Sequence, residues 1–111
     1  MTLKECAERV QANWIVAGDE TLEFHDVVVS DLMSDVLVVE HDDFLLVTSL
    51  ASEQVVRTAD IVDARAILLA NGKHPQPALQ NLAESEGIPV LSSPLSTFDV
   101  CRALAGCKDD S

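Results

Sequence analysis

The chain has 111 residues and a mass of 12.0 kDa, which suits one domain and leaves little room for a second. Hydrophobic residues make up 48% of it and charged residues 23%, which excludes disorder, collagen-like repeats and a disulfide-stabilised miniprotein. The net charge of −12 makes nucleic acids and anionic membranes poor partners, because both carry the same sign of charge. We expect one domain, residues 1–111, that binds neither.

The N-terminus and the cysteines bear on where the protein works. Glu5 places charge too early for the apolar core of a signal peptide, and no apolar run approaches the ~20 residues that span a bilayer. Cys6, Cys101 and Cys107 are odd in number and lack a C-x-x-C spacing, so free thiols are favoured over a redox pair. We expect a cytoplasmic protein.

The first quarter of the chain predicts one helix and one strand. Thr2 followed three residues later by Glu5 is the pattern of a capping box, which begins a helix. Residues 14–17 are apolar and precede a Gly-Asp pair, which predicts a short strand. A polar stretch follows, in which we expect Leu22 and Phe24 to turn inward.

From residue 27 onward, apolar strands alternate with helical segments. Continuous apolar strands favour a sheet that is buried on both faces, because half-exposed strands would alternate in polarity. The strand–helix–strand spacing is the β-α-β signature, so we predict an α/β fold: a single three-layer domain with a mostly parallel sheet of about five strands and flanking helices. The predicted strands are 27–29, 44–47, 66–69 and 88–91, the predicted helices run through 33–37, 52–63, 77–86 and 95–104, and a polar tail covers about 107–111.

Polar residues follow the predicted strands where these end. In a parallel α/β sheet the strand C-termini and the helix N-termini share one edge, where ligands usually bind. The amides after Ser30, Thr48 and Gly72 would then face a phosphate or carboxylate, opposed by the charge of Asp31. The candidate ligand-binding residues are Ser30, Asp31, Thr48, Ser49, Ser52, Asn71 and Gly72, with Ser92, Ser93, Ser96 and Thr97 at the same edge.

Helix capping alone is the competing interpretation of this polar edge. Ser, Thr and Asp are the common N-cap residues. In this interpretation Ser30 or Asp31, Ser52, and Ser93 or Ser96 cap three helices and no ligand is involved.

Acidic residues concentrate in the first half of the chain. No Lys or Arg occurs from Val10 to Val56. One interpretation is a solvated acidic face that aids solubility, and the other is a patch that steers a basic partner protein to this half. The acidic residues in this span are Asp19, Glu20, Glu23, Asp26, Asp31, Asp35, Glu40, Asp42, Asp43 and Glu53.

The sequence contains no strong catalytic pattern. His41-Asp42-Asp43 is typical of a solvated turn rather than a metal site, because consecutive residues rarely converge on one ion. The four glycines are isolated, so a Gly-rich phosphate loop is absent, and there is no G-x-S-x-G motif. We expect no catalytic residues, no metal and no cofactor; an enzyme that uses Asp31 or Asp35 with a metal is the least favoured class.

Five blocks of sequence occur in a specific order and spacing: 30–37 (SDLMSDVL), 44–48 (FLLVT), 54–59 (QVVRTA), 72–75 (GKHP) and 87–91 (GIPVL). Together they resemble the DRTGG domain family over nearly the whole chain, from about residue 3 to residue 104. Such domains occur inside phosphotransacetylases, between the CBS modules of some regulated pyrophosphatases, and as free-standing bacterial proteins often encoded beside iron-only hydrogenase subunits. Their fold resembles the N-terminal domain of HPr kinase/phosphorylase, which lacks the kinase site.

The chain departs from the motif that names the family. Members carry Asp-Arg after one strand and Thr-Gly-Gly after the next. Here the first place has about Ala51-Ser52 and the second has Ala70-Asn71-Gly72, so only Gly72 is retained. Asn71-Gly72 still suits a turn with positive φ.

The resemblance implies a non-catalytic accessory or regulatory module that works through protein–protein contact. The small size and the 48% hydrophobic residues predict a homodimer, because the core of so short a chain cannot hide all of its apolar surface. A link to iron-only hydrogenase or related metabolic complexes follows from the free-standing members. The alternative is a small-molecule sensor that binds a nucleotide or a phosphorylated metabolite at the strand-end edge.

Overall fold

The computed structural model describes residues 1–106, and the predicted polar tail and Cys107 lie outside that range. Helices and strands alternate along most of this part of the chain. None of the helices described has the length and apolar character that crossing a bilayer requires. The elements are α1 (Leu3–Arg9), β1 (Asn13–Val16), β2 (Asp26–Val29), α2 (Met33–Val36), β3 (Phe44–Thr48), α3 (Gln54–Ile61), β4 (Ala66–Leu69), α4 (Pro77–Glu86), β5 (Val90–Ser92) and α5 (Thr97–Leu104).

The five strands form one sheet in the order β1-β5-β4-β3-β2. The four strands β2, β3, β4 and β5 are parallel, and β1 pairs antiparallel with β5. The prediction of a mostly parallel five-stranded sheet is therefore confirmed. β1 thus runs opposite to β2, and residues 17–25 connect the two edge strands.

Helices cover both faces of the sheet, as the continuous apolar strands predict. On one face α1 and α5 pack over Leu45, Val47 and Leu68. On the other face α2, α3 and α4 pack over Leu46 and Ile67. All five of these strand side chains are fully buried, so the three-layer α/β architecture is confirmed.

The residues of the edge strand β2 are less buried than those of the central strands. Val28, which the apolar run places in a fully buried sheet, is only half-buried, because β2 is an edge strand with β3 as its neighbour on one side. Phe24 is fully buried and Leu22 is half-buried, as predicted for the stretch before β2.

The predicted N-caps form at the starts of α1 and α5 but not at the starts of α2 and α3. Thr2 and Glu5 form the predicted capping box, and the Ser96 hydroxyl accepts the N–H of Asp99 at the start of α5. The prediction that Ser52 caps a helix is wrong, since α3 begins after Glu53 without a side-chain cap. The N-cap of α2 is Leu32, also without a side-chain bond, so neither Ser30 nor Asp31 caps that helix.

Candidate functional site

The ends of β2 and β3 are joined by one carboxylate. Asp31 Oδ1 accepts the Thr48 hydroxyl at 2.9 Å and the Ser49 N–H at 2.7 Å, and Asp31 Oδ2 accepts the Ser49 hydroxyl at 2.6 Å. Three of the seven candidate residues therefore meet, as predicted from the sheet edge. The carboxylate of Asp31 occupies the position in which an anion was expected to meet the Ser49 amide.

These contacts hold the pKa of Asp31 below its ordinary value. The largest cause is the Ser49 N–H, followed by the Ser49 hydroxyl; partial burial opposes the shift, and the Thr48 hydroxyl and the charge of Lys73 add smaller contributions. Asp31 is consequently ionised at neutral pH and holds the two strand ends as a charge-assisted hydrogen-bond acceptor. The sequence analysis did not single out Lys73, although Lys73 directly follows Gly72, which it places at the same sheet edge as Asp31.

Asn71 and Gly72 form a tight turn after β4. Both have left-handed φ angles, 62° and 65°, as the Asn-Gly pair predicts. The backbone N–H of Asn71 donates to the carbonyl of Leu95 at 2.7 Å, and the backbone N–H of Gly72 donates to the carbonyl of Ser93 at 2.9 Å. The Asn71 side chain donates to the Thr97 hydroxyl and accepts the Thr97 N–H, so this turn holds the start of α5.

Ser52 and Ser30 take up different roles at the same edge. The Ser30 hydroxyl accepts the Leu32 N–H at 3.0 Å and so stabilises the turn that leads into α2. Ser52 is half-buried, and its hydroxyl has no hydrogen-bond partner among residues 1–106. Its loop lies against the segment before α4, where the Gln76 N–H donates to the carbonyl of Ala51. Of the seven candidates, Ser52 is the one whose side chain is not engaged within this described part.

A second feature lies beside this edge and was missed by the sequence analysis. Apolar side chains from the end of β2 through α2 are exposed: Val29 by 41%, Leu32 by 58%, Leu37 by 47% and Val38 by 76%. We call these four residues the β2–α2 face. The sequence shows only that these residues are apolar; the structure shows that α2 has four residues and buries Met33 and Val36, which leaves its apolar neighbours uncovered.

The histidine and acidic side chains before β3 form separate ion pairs rather than a metal-binding cluster. His41 pairs with Asp26, and Arg65 pairs with Asp43, in the turn before β3. Between residues 1 and 106, no three or more His, Cys, Asp or Glu side chains are grouped so that they could hold a metal ion. Cys6 and Cys101 are not joined in a disulfide.

Comparison with solved structures identifies the same fold elsewhere. The chain is similar to the crystal structure of the CBS and DRTGG domains of the regulatory region of Clostridium perfringens pyrophosphatase, complexed with its activator diadenosine tetraphosphate. The TM-score is 0.70 at 13% sequence identity, over 96% of this chain and 46% of that chain. This chain thus spans about half the length of that regulatory region, and the likeness establishes the fold.

Comparison at the level of sequence gives the family. A search of curated protein sequences finds no significant match. The family model of the DRTGG domain matches residues 5–107, which is nearly the full length of the chain. With this match and the shared fold, the chain belongs to the DRTGG domain family.

Proposed function

We propose that this chain is a non-catalytic regulatory or accessory module that works through contact with another protein. The observation that carries the proposal is the β2–α2 face, where four large apolar side chains lie exposed within ten residues. Such clustering marks interaction surfaces, whereas exposed apolar residues on an ordinary surface are scattered. The chain belongs to the DRTGG domain family, and a DRTGG domain is part of the pyrophosphatase regulatory region that has a similar fold; both facts support the same role.

Affinity purification from a lysate of the source organism tests this function. The wild-type chain is expected to retain a protein at a stoichiometric ratio, and the Leu32→Ser/Val38→Ser variant is expected to lose it. Ile61→Ser is the matched control, because Ile61 is 69% exposed and lies on α3, outside the face. Iron-only hydrogenase subunits are the first proteins to look for, given the free-standing members of the family. Equal retention by all three chains would contradict the proposal.

Self-association through a separate surface is a further part of the proposal. Phe98 in the first turn of α5 is 74% exposed, and a two-fold axis would pack this ring against its copy on a second chain. Sedimentation at micromolar concentration is then expected to give twice 12.0 kDa, and Phe98→Ser to give a monomer. A wild-type chain that stays monomeric over a wide concentration range would exclude the homodimer.

A nucleotide sensor at the strand-end edge is the second candidate function. The pyrophosphatase regulatory region that shares this fold is complexed with a dinucleotide. In this chain the Ser52 hydroxyl, which bonds no other residue of 1–106, and the positive charge of Lys73 are the groups at this edge suited to a phosphate. Because the Ser49 amide already bonds Asp31, a phosphate would have to use Ser52 and the turn after β4 instead.

Amide NMR titration distinguishes a sensor from a purely structural edge. AMP, ATP with Mg²⁺, acetyl phosphate and diadenosine tetraphosphate are the probes. A sensor shows saturable shifts at Ser52 and around Asn71-Gly72, which are lost in Ser52→Ala. Asn71→Gly is preferable to Asn71→Ala as a second variant, since it retains the left-handed backbone. No shift at millimolar concentration would remove this candidate.

A further inference from the structure

A groove lies between α1 and β1, on the face of the sheet that α1 and α5 cover. Its volume of about 330 Å³ is at the lower end of the range for small-ligand sites. We call it the α1–β1 groove. The apolar part of its lining is Ala7, Ala12 and Trp14, and the charged part is Lys4, Glu8 and Glu20.

Main-chain hydrogen bonds bring the two sides of the groove together. The N–H of Lys4 donates to the carbonyl of Glu20 at 3.0 Å, so the loop after β1 runs beside the first turn of α1. At the other end of α1, Gln11 has a left-handed φ of 56°, and the N–H of Ala12 donates to the carbonyl of Ala7 at 2.9 Å. This turn leads the chain directly from α1 into β1, so the positions of the lining residues are fixed by the backbone.

Trp14, the single tryptophan of the chain, supplies an aromatic surface to the groove. It is half-buried and packs against the core that lies under α1 and α5. Its indole N–H has no acceptor among residues 1–106. An indole ring attracts a cation over its face more strongly than the other aromatic rings do, and the cation is more often arginine than lysine.

Glu8 and Glu20 bring negative charge to the same groove. Within residues 1–106, neither side chain forms a hydrogen bond or an ion pair, and the same is true of the Lys4 side chain. The nearby carboxylates of Glu5 and Asp19 differ, since each already accepts bonds from a threonine. Two carboxylates outweigh one ammonium, so the groove favours a group that carries a positive charge.

We propose that the α1–β1 groove binds an arginine side chain of a partner protein, whose guanidinium stacks on the indole of Trp14 and donates hydrogen bonds to Glu8 and Glu20. A guanidinium is planar, weakly hydrated and rich in N–H donors, so it can stack on a ring and bond carboxylates at the same time. The indole N–H and the Lys4 ammonium are donors suited to the main-chain carbonyls beside that arginine. The groove lies on the face of the sheet opposite to α2, so it is a contact beyond the one proposed above.

Titration of the 15N-labelled chain with a short peptide tests this site, and the fluorescence of Trp14 is a second readout. The probe is acetyl-Gly-Arg-Gly-amide, in which the guanidinium is the only charge. We expect saturable shifts of the amides of 4–14 and of Glu20, together with a change in fluorescence. The expected Kd is on the order of 1 mM, since exposed ion pairs and cation–π contacts each contribute little. Affinity is expected to fall about threefold when ionic strength rises from about 50 to about 300 mM.

Matched peptides and variants separate recognition of a guanidinium from general attraction to an acidic chain. The citrulline peptide has nearly the same shape without the charge and is expected not to bind, and the lysine peptide is expected to bind about threefold more weakly. Glu8→Gln/Glu20→Gln is expected to weaken binding about fivefold, and Trp14→Leu, followed by NMR, about threefold. Glu86→Gln is the control and is expected to leave binding unchanged, because it removes a carboxylate from α4 on the opposite face.

Several results would overturn the proposed site. Equal binding of the citrulline peptide would show that the groove does not recognise charge, and equal effects of the double variant and Glu86→Gln would show that its carboxylates are not involved. Shifts centred on Asp60 and Asp63 would place the peptide in the acidic cavity before β4 instead. If acetyl-arginine amide binds as tightly as the peptide, the groove serves a small guanidino compound, and its assignment to a partner protein is wrong. The Leu32→Ser/Val38→Ser experiment tests the proposed function separately, because neither residue lines this groove.

Discussion

Replacing Asp31 by alanine is expected to destabilise the fold through the connection between β2 and β3. The substitution removes three hydrogen bonds, two to Ser49 and one to Thr48, of 2.6 to 2.9 Å. A hydrogen bond to a charged group contributes about 1.5–3 kcal/mol net when water is excluded. Because Asp31 is exposed to solvent, water competes for these groups, and we expect a total loss of about 2 kcal/mol.

Urea unfolding followed by the fluorescence of Trp14, the single tryptophan, measures this loss. Asp35→Ala is the matched control, since it removes the same charge four residues later from a side chain without a hydrogen bond among residues 1–106. The control is expected to change the free energy of unfolding by less than about 0.5 kcal/mol. Equal losses in the two variants would refute the reasoning, because charge and not geometry would then be responsible.

The difference in free energy of unfolding between wild type and Asp31→Ala is expected to depend on pH with a definite sign. The folded chain lowers the pKa of Asp31, so in the window below the ordinary value of about 3.9 the unfolded chain binds more protons. The stabilisation is therefore present above that value and is lost as pH falls through the folded pKa. The pKa values of Glu5 and Asp19 are also lowered, by hydrogen bonds from Thr2 and Thr21, so wild type must be compared with Asp31→Ala at each pH. A difference that grew on acidification would contradict this account.

Three further substitutions test the packing of the sheet in denaturant melts. Leu46→Ala leaves a cavity in a fully buried strand and is expected to cost about 2–5 kcal/mol; a loss below about 1 kcal/mol would contradict its central position. Gly18→Ala would place Cβ 2.3 Å from Pro89 Cγ, so we expect a loss of about 1–3 kcal/mol, and an unchanged midpoint would show that this approach relaxes freely. Ser93→Ala leaves the buried carbonyl of Val10 without its donor at 2.6 Å, which is expected to cost about 1–3 kcal/mol; a neutral result would mean that water replaces the hydroxyl.

Local patterns predicted the parts of this protein that depend on neighbouring residues. The capping box of Thr2 and Glu5 and the left-handed turn at Asn71-Gly72 are local, because each depends on a few adjacent backbone groups. The buried parallel strands could be predicted because continuous apolar runs are visible in the sequence itself. A sheet covered by helices on both faces requires apolar residues at every position, and Phe44–Thr48 and Ala66–Leu69 come close to that requirement.

Contacts between distant segments were decided by the tertiary structure. Asp31 resembles an N-cap in sequence, but it bonds residues 17 and 18 positions later, because the register of β2 on β3 places the two strand ends side by side. The antiparallel β1 was likewise not evident, since a short apolar run does not reveal the direction of its partner. The exposure of Leu32 and Val38 arises in the same way: composition determined that these side chains are apolar, but only the position of β2 at the sheet edge left them without neighbours to cover them.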